Sequence, residues 1–424
     1  MKKLIIAPVA AALLAVSGFT ALPVNPDAMP EVGKVLDYLA DVSAHNRILS
    51  GQESPFDMQY VRHIQRLTGK WPAIIGLDFY CEDTVSLRPG MIATAVEYWR
   101  AGGLVTICWH QHSPKESLPD AGGWESVRSS MSQDEFDQVV TPGTPLFERW
   151  AKNVDIIAAF LQQLRDSGVI VLWRPYHEMN GSWFWWGGHR PSSFKRLWYN
   201  MYDRLTNRFG LNNLIWVWSP NNAVNAAYYL PEFVDVGGVD LYTSRRNDGR
   251  WRTQDATLSR IMGDKSYSIT ECGLVPEPEY LRTMTGYSWF LVWAFGWCDN
   301  TAFGMPPGNG PGNRPEQLLE LYLDPVCITR DELSMDPESI IDWPCLTMQP
   351  ADLPNPFDPA VAAAGRAMAA SRGQKVLAAA NPRILGRGGC PWNGEQYASG
   401  ISVVRVGSGK STRSRKAVHA HVHA

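Results

Sequence analysis

Eight short apolar runs, separated by longer segments of helical periodicity, constrain the fold of this chain more than any other feature. The runs cover residues 48–52, 73–79, 104–109, 169–174, 214–218, 234–241, 267–270 and 289–295. The sequence predicts helices over 31–44, 55–68, 92–101, 144–167, 192–209 and 251–262. Alternating strands and helices are typical of a parallel sheet, and eight such units close a (β/α)8 TIM barrel. An open doubly wound sheet would need a glycine-rich phosphate turn after the first strand, and residues 50–54 are not one.

Ionisable and aromatic residues follow the predicted strands at their carboxyl ends. They are Asp78, His110, Glu178, Asp240 with Tyr242, Glu271 and Trp293. In a (β/α)8 barrel these ends meet at one mouth, where active sites of this fold lie. The loops 111–143 and 180–191 are rich in Gly, Ser and Trp, and we expect them to form the walls of a cleft.

The segment 174–187, Arg-Pro-Tyr-His-Glu-Met-Asn-Gly-Ser-Trp-Phe-Trp-Trp-Gly, carries the strongest chemical signal. A carboxyl group that keeps a proton for a leaving oxygen needs apolar surroundings, which raise its pKa. Glu178 is therefore a candidate acid, and the alternative is a buried, paired glutamate among core tryptophans. Retaining hydrolysis of a glycosidic bond needs a second carboxyl group about 5–5.5 Å away. Glu271, at the end of the seventh run, is the candidate nucleophile; taken alone it would be a helix-capping or rim carboxylate.

Together these residues resemble glycoside hydrolase family 26. The resemblance rests on segments 103–110, 174–187, 234–242, 270–273 and 289–293, and it covers approximately residues 24–333 in order. It implies that Glu178 is the acid/base and Glu271 the nucleophile. It also implies substrate-binding or positioning roles for His110, His177, Trp183, Tyr242 and Trp293. Trp185 and Trp186 are left open between cleft wall and core, and Cys272 departs from the residue that the family often has there.

The resemblance implies a secreted endo-β-1,4-mannanase that acts on mannan, glucomannan or galactomannan through a covalent glycosyl-enzyme, without a metal or organic cofactor. The same family includes enzymes that act on mixed-linkage β-glucan and on β-1,3-xylan. A non-catalytic polysaccharide-binding protein is a further alternative, although binding alone would not need both carboxylates. The expected partner is a β-linked plant polysaccharide, and we expect a monomer. A net charge of -3 gives no field for binding nucleic acid.

The two ends of the chain differ from its centre. Residues 1–21, with two lysines before an apolar run, are typical of a signal peptide, and Phe19 occupies the place of a lipidated cysteine. We therefore expect an extracellular or periplasmic protein with no membrane anchor. The catalytic domain is predicted to cover 22–334, and the extension 335–424 to be partly disordered. Of the seven cysteines, Cys327 and Cys345 are the pair that we would test first for a disulfide.

Overall fold

The computed structural model describes residues 22–80, 84–117, 121–284, 286–304, 312–333, 393–397 and 401–405. Eight parallel strands form a barrel, in which Gln52 of the first strand pairs with Val292 of the last. The strands are β1 in two segments (Ile48–Leu49 and Gly51–Glu53), β2 (Ile74–Asp78), β3 (Leu104–Trp109), β4 (Val171–Pro175), β5 (Leu214–Trp218), β6 (Val236–Leu241), β7 (Tyr267–Cys272) and β8 (Tyr287–Val292). The predicted TIM barrel is confirmed.

Helices connect these strands and cover the outside of the barrel. They are α1 (Pro30–Ala44), α2 (Gln59–Thr68), α3 (Thr84–Arg100), α4 (Gly123–Val127), α5 (Gln133–Val139), α6 (Pro145–Asp166), α7 (Pro191–Tyr202) with a π-helical continuation (Asp203–Arg208), α8 (Arg250–Met262), α9 (Pro278–Leu281), α10 (Pro315–Tyr322) and α11 (Arg330–Leu333). All six predicted helices are present, although α3 begins at Thr84 rather than at residue 92. The short helices α4 and α5, inside the loop after β3, were not predicted.

Every residue of the eight barrel strands is buried, because side chains face either the barrel interior or the surrounding helices. Burial on both faces explains why these strands read as nearly continuous apolar runs. Tryptophan fills much of the space between the layers. The fully buried tryptophans are Trp99, Trp109, Trp150, Trp173, Trp185, Trp186, Trp198, Trp216, Trp218, Trp251 and Trp289. Most of the tryptophan in this chain therefore builds the core rather than the cleft.

The described part of the barrel domain extends to Leu333. Strand β9 (Cys327–Ile328) pairs in parallel with the first segment of β1, and the Arg330 guanidinium stacks 4.3 Å from the ring centre of Trp71. Farther along, β10 (Asn393–Tyr397) and β11 (Ile401–Arg405) form an antiparallel pair, which the sequence did not predict.

Three predictions about the ends of the chain fall wholly or partly outside the described residues. They are the signal peptide over residues 1–21, the partial disorder of residues 335–424, and the disulfide between Cys327 and Cys345. Cys327 is buried, and its disulfide with Cys345 stays a prediction. In the described segments, no helix combines the length and the apolar character needed to span a bilayer.

Removing residues 353–424 should leave both kcat and Tm nearly unchanged, because the barrel and its supporting strand β9 lie before this point. A matched truncation after Leu323 should instead lose soluble protein, since it removes β9 and the Arg330 stack on Trp71. Thermal unfolding and activity of the two variants check this. Equal damage from both truncations would show that residues 353–424 also pack on the barrel.

Candidate active site

Five strands bring the ionisable side chains together at one end of the barrel. Asp78 ends β2, His110 follows β3, Arg174 lies in β4, Asp240 in β6 and Glu271 in β7. These five residues are each at most 5% exposed. Because charged groups are costly to bury unless they are paired, the partners of each one define what the site can do.

Glu271 is held at both carboxylate oxygens. Its Oε2 accepts a hydrogen bond from Arg174 Nη2 at 2.8 Å, and its Oε1 accepts one from the Tyr242 hydroxyl at 2.6 Å. Arg174 also donates from Nη1 to Asp240 Oδ2 at 2.8 Å. The hydroxyls of Ser219 and Thr270 fix the other oxygen of Asp240, at 2.5 and 2.9 Å. A charge-assisted network of this kind suits an ionised carboxylate in a fixed orientation.

Burial raises the pKa of Asp240 to about 7, against the opposing effect of Arg174. Both oxygens of Asp240 accept hydrogen bonds, so it faces Arg174 as an acceptor, as Glu271 does. Arg174 therefore joins the two carboxyl groups and fixes the orientation of the nucleophile candidate.

Glu178 lies in an environment that favours the protonated carboxyl group. Its pKa is raised well above the usual range, first by burial and then by the negative charges of Glu271 and Asp240. Trp183 Nε1 donates a hydrogen bond to Glu178 Oε2 at 2.6 Å, which opposes this rise without cancelling it. The site thus contains one carboxyl group that keeps its proton beside one that is bound by a cation. That is the division of roles that acid and nucleophile require.

The backbone that presents Glu178 is in the left-handed region. Tyr176 has φ 49° and Glu178 has φ 56°, values that non-glycine residues rarely adopt. Such residues persist only where their surroundings determine the conformation. Here Glu178 N–H donates to Ser219 O at 2.6 Å, and the Tyr176 hydroxyl accepts from Trp150 and donates to Gln111. The direction of the Glu178 side chain is therefore set by β5 and by the helix and loop that pack behind the site.

The two predicted histidines contact one another. His110 Nε2 lies 3.1 Å from His177 Nε2, and His110 Nδ1 lies 2.5 Å from Asp78 Oδ2. Burial lowers the pKa of His177 well below its usual range, and the nearby Arg174 and His110 add to this. Burial would raise the pKa of Asp78, but His110 and backbone N–H groups bring it below the usual range.

The aromatic residues divide into two groups. Trp293 and Trp297 form an apolar cluster with Leu274, and Tyr242, which hydrogen-bonds Glu271, packs against this cluster. Trp185 and Trp186 are buried and donate to the carbonyls of Gln111 and His177. These two tryptophans therefore belong to the core that supports the site and not to the cleft wall. Trp183 is half-buried and directly contacts the carboxyl group of Glu178.

Potential metal ligands come together at one place in the described residues. Atoms of Asp78, Cys108 and His110 lie within 4.8 Å of one another. A metal ion there would have to break the hydrogen bond between Asp78 and His110. It would also have to displace the proton of Cys108, whose pKa burial raises well above its usual range. The arrangement suits an Asp–His pair better than a metal centre, and the expectation that no metal is needed stays a prediction.

Known proteins of one family are similar to this chain in sequence. The family model described as "Glycosyl hydrolase family 26" matches residues 24–305. The mannan endo-1,4-beta-mannosidase of Thermothelomyces thermophilus is 31% identical over 320 residues, which are 73% of this chain but 62% of that relative. The enzyme of the same name from Bacillus subtilis strain 168 is 32% identical, over 68% of this chain and 83% of its own length.

Solved structures agree with these sequence matches. GH26A from Muricauda sp. has a TM-score of 0.66 and 34% identity, and the match covers 73% of this chain and 99% of the other. A beta-mannanase from a symbiotic protist of the termite Reticulitermes speratus, solved with gluco-manno-oligosaccharide, has a TM-score of 0.64 and 29% identity over 74% and 97% of the two chains. The family match spans all eight barrel strands.

Proposed function

Because this chain belongs to glycosyl hydrolase family 26, we propose that it is a retaining endo-β-1,4-mannanase. The observation that carries the proposal is the pair of carboxyl groups, Glu178 with its raised pKa and Glu271 held by Arg174 and Tyr242. The relatives of Thermothelomyces and Bacillus support mannan as the substrate by their names. The protist relative, solved with gluco-manno-oligosaccharide, supports a β-linked mannose-containing chain as the ligand.

In the first step, the Glu178 carboxyl group donates its proton to the glycosidic oxygen while Glu271 attacks the anomeric carbon. The bond between that carbon and the oxygen breaks, the shortened polysaccharide leaves as an alcohol, and an ester joins the sugar to Glu271. Tyr242 and Arg174 hold the attacking carboxylate in position before the reaction. Trp293, whose ring centre lies 6.0 Å from that of His110, would supply an apolar face for the sugar.

In the second step, Glu178 is a carboxylate and acts as a base. It removes a proton from water, the water oxygen attacks the same anomeric carbon, and the ester bond to Glu271 breaks. Glu178 regains its proton and Glu271 its charge. In the intermediate Glu271 is an ester and carries no negative charge. One of the causes that raise the pKa of Glu178 is therefore absent at this stage. The same residue can therefore be an acid in one step and a base in the next.

Side-by-side hydrolysis assays test the substrate. Reducing-sugar release should be fastest from mannan, glucomannan or galactomannan, and slow from mixed-linkage β-glucan and β-1,3-xylan. Internal cleavage should lower the viscosity of the mannan before much reducing sugar appears. Faster release from β-glucan or β-1,3-xylan would assign a different activity within the same family. Tight binding to mannan without release would indicate a polysaccharide-binding protein.

The first product should keep the β configuration at its anomeric carbon. Two successive displacements at that carbon, one by Glu271 and one by water, restore the starting configuration. Proton NMR of mannooligosaccharide cleavage, recorded before mutarotation, shows which anomer forms first. An initial α product would mean that the second carboxyl group activates water directly, so that no covalent intermediate forms.

We also propose that the protein acts outside the cytoplasm, on plant polysaccharide that cannot enter the cell. The support is the leader-like composition of residues 1–21, which lie outside the described residues. Fractionation of the producing cells, followed by N-terminal sequencing of the mature protein, tests export. Recovery of the intact N-terminus from the cytoplasm would contradict it.

A further inference from the structure

A chain of hydrogen bonds runs from Asp78 through His110 to His177. The two contacts measure 2.5 Å from Asp78 Oδ2 to His110 Nδ1 and 3.1 Å between the Nε2 atoms of the histidines. All three residues are at most 5% exposed, so water cannot easily exchange with either contact. Each contact needs one proton between its two atoms. The position of the proton on one ring therefore fixes its position on the next.

Asp78 determines the direction of this chain. Its Oδ1 accepts the backbone N–H groups of Tyr80 and His110, at 2.9 and 3.2 Å. Burial alone would raise the pKa of Asp78, but these contacts and His110 hold it below the usual range, so the side chain is an acceptor at both oxygens. His110 must consequently present Nδ1–H to Asp78.

Arg174 distinguishes the two arrangements that remain. If His110 carries one proton, its Nε2 accepts from His177 Nε2–H, and His177 Nδ1 is a lone pair. If His110 carries a second proton, it donates to His177, whose own proton must then be on Nδ1. Among the described residues His177 Nδ1 is buried without a hydrogen-bond partner, and the charge of Arg174 acts on this ring. A lone pair is stabilised beside a guanidinium, whereas an unpaired N–H is opposed by it.

We propose that Asp78 is a positioning residue that fixes the tautomers of His110 and His177, so that His177 Nδ1 carries a lone pair and no proton. This inference rests on the proposed function, because it gives Glu271 the role of nucleophile. The opposite tautomer would place an unpaired N–H in the field of Arg174, the cation that holds Glu271, and so oppose the arrangement that orients the attacking carboxylate. Asp78 acts through the histidines.

The variant Asp78→Asn reverses the direction of the hydrogen bonds from residue 78 through His110 to His177, while the side chain keeps almost the same shape. The amide oxygen still accepts the two backbone N–H groups, while the amide nitrogen faces His110 Nδ1 and requires an acceptor there. His110 then carries its proton on Nε2, and His177 is forced to protonate at Nδ1. In a Ser–His–Asp triad the corresponding change lowers kcat by about 10⁴ through the wrong tautomer. The histidines here are farther from the bond-making step, and we expect kcat on mannooligosaccharides to fall about 100-fold.

Nitrogen-15 NMR of the histidine rings in the full-length protein reads the tautomers directly, with resonances assigned by His177→Gln. In the unsubstituted protein His177 should be protonated at Nε2 and bare at Nδ1, and in Asp78→Asn it should be the reverse. Protonation at Nδ1 in the unsubstituted protein overturns the proposal, even if the variant does not fold. Unchanged tautomers or an unchanged kcat in a folded Asp78→Asn protein overturn it as well.

Asp299→Asn is the matched control. Asp299 Oδ2 lies 2.8 Å from His63 Nε2, so the variant alters a second Asp–His pair that does not belong to the Asp78 chain. Its kcat should stay within about twofold of the unsubstituted value. If kcat fell as much in Asp299→Asn as in Asp78→Asn, the loss would be explained by general destabilisation, and the proposal would be contradicted. If the unsubstituted protein does not hydrolyse mannan, the proposed function fails, while the spectra still decide the tautomers.

Discussion

Replacing Glu271 by alanine should lower kcat on mannan by about 10⁴-fold or more, because no other group can form the bond to the anomeric carbon. Of the two donors that hold this carboxylate, Arg174 is no nucleophile, and burial raises the pKa of Tyr242 well above its usual range, which keeps its hydroxyl protonated. The loss should therefore be similar for every substrate, whatever its leaving group. Steady-state kinetics on galactomannan and on an activated aryl mannoside measure it.

Asp155→Ala is the control for this change. Like Glu271, Asp155 accepts hydrogen bonds from an arginine, here two from Arg204 at 2.6 and 2.7 Å, so this substitution also removes a carboxylate from an arginine. Asp155 lies on helix α6, outside the barrel mouth. Its kcat should be nearly unchanged. Activity of Glu271→Ala near that of Asp155→Ala would exclude Glu271 as the nucleophile, provided that thermal unfolding shows both proteins to be folded.

Replacing Glu178 by alanine should give a loss that depends on the leaving group. A positioned general acid contributes about 10²–10⁴-fold, and only where the departing oxygen needs a proton. We expect the full loss on mannan and a much smaller loss in the glycosylation of Glu271 by dinitrophenyl mannosides, whose leaving group departs as an anion. The glycosyl-enzyme should then accumulate, since the base of the second step is also missing. Pre-steady-state release of dinitrophenol and mass spectrometry of the protein measure both effects.

Azide provides the second measurement for the same variant. A small anion can occupy the space left by the Glu178 side chain and attack the intermediate without a base, so it should restore turnover of the dinitrophenyl substrate and yield a glycosyl azide. In Glu271→Ala azide would attack the substrate itself from the opposite face and give the α-glycosyl azide, whereas Glu178→Ala should give the β-glycosyl azide. A Glu178→Ala protein that hydrolyses mannan normally would show that another group supplies the proton.

The pH dependence should follow from the same environment. Glu178 must be protonated in the first step, so activity is retained below its pKa and is lost as the pH rises through that value. Because burial, Glu271 and Asp240 raise the pKa, the alkaline limb should lie well above the range of an ordinary glutamate. In Glu178→Ala this limb should disappear from the rate of glycosylation by activated substrates.

The strands were predictable from the sequence because burial on both faces leaves unbroken apolar runs, and the positions of Glu178 and Glu271 followed from the strand ends. The network of ion pairs around these two carboxyl groups was not predictable from the sequence. Arg174 lies within a strand, and only the closed barrel shows that it reaches both Asp240 and Glu271. Glu53, buried at the end of β1, was missed for the same reason, although Arg174, Asp78 and Glu271 all affect its pKa.

The loop after β3 contains a helix start, that of α5, which could have been predicted from the sequence. Ser132 and Glu135 form a reciprocal capping box at the start of α5, and the Ser-x-x-Glu spacing is visible in the sequence. By contrast, no sequence pattern separates Trp183, which contacts Glu178, from Trp185 and Trp186, which pack behind the site. All three lie in one four-residue segment after β4, and only the path of the loop decides which indole reaches Glu178.

Closure of the barrel between β1 and β8 also determines when activity can appear during folding. Gln52 Nε2 donates to Val292 O, a contact between residues 240 positions apart, and Trp293 follows immediately. Contacts of such long sequence separation form late, since most of the chain must be ordered before they can be made. A partly folded chain can hold β2–β4 with Asp78, His110 and Glu178 in place and still lack Glu271. Recovery of hydrolysis after denaturation should therefore report the joining of the first and last strands and lag behind the return of secondary structure.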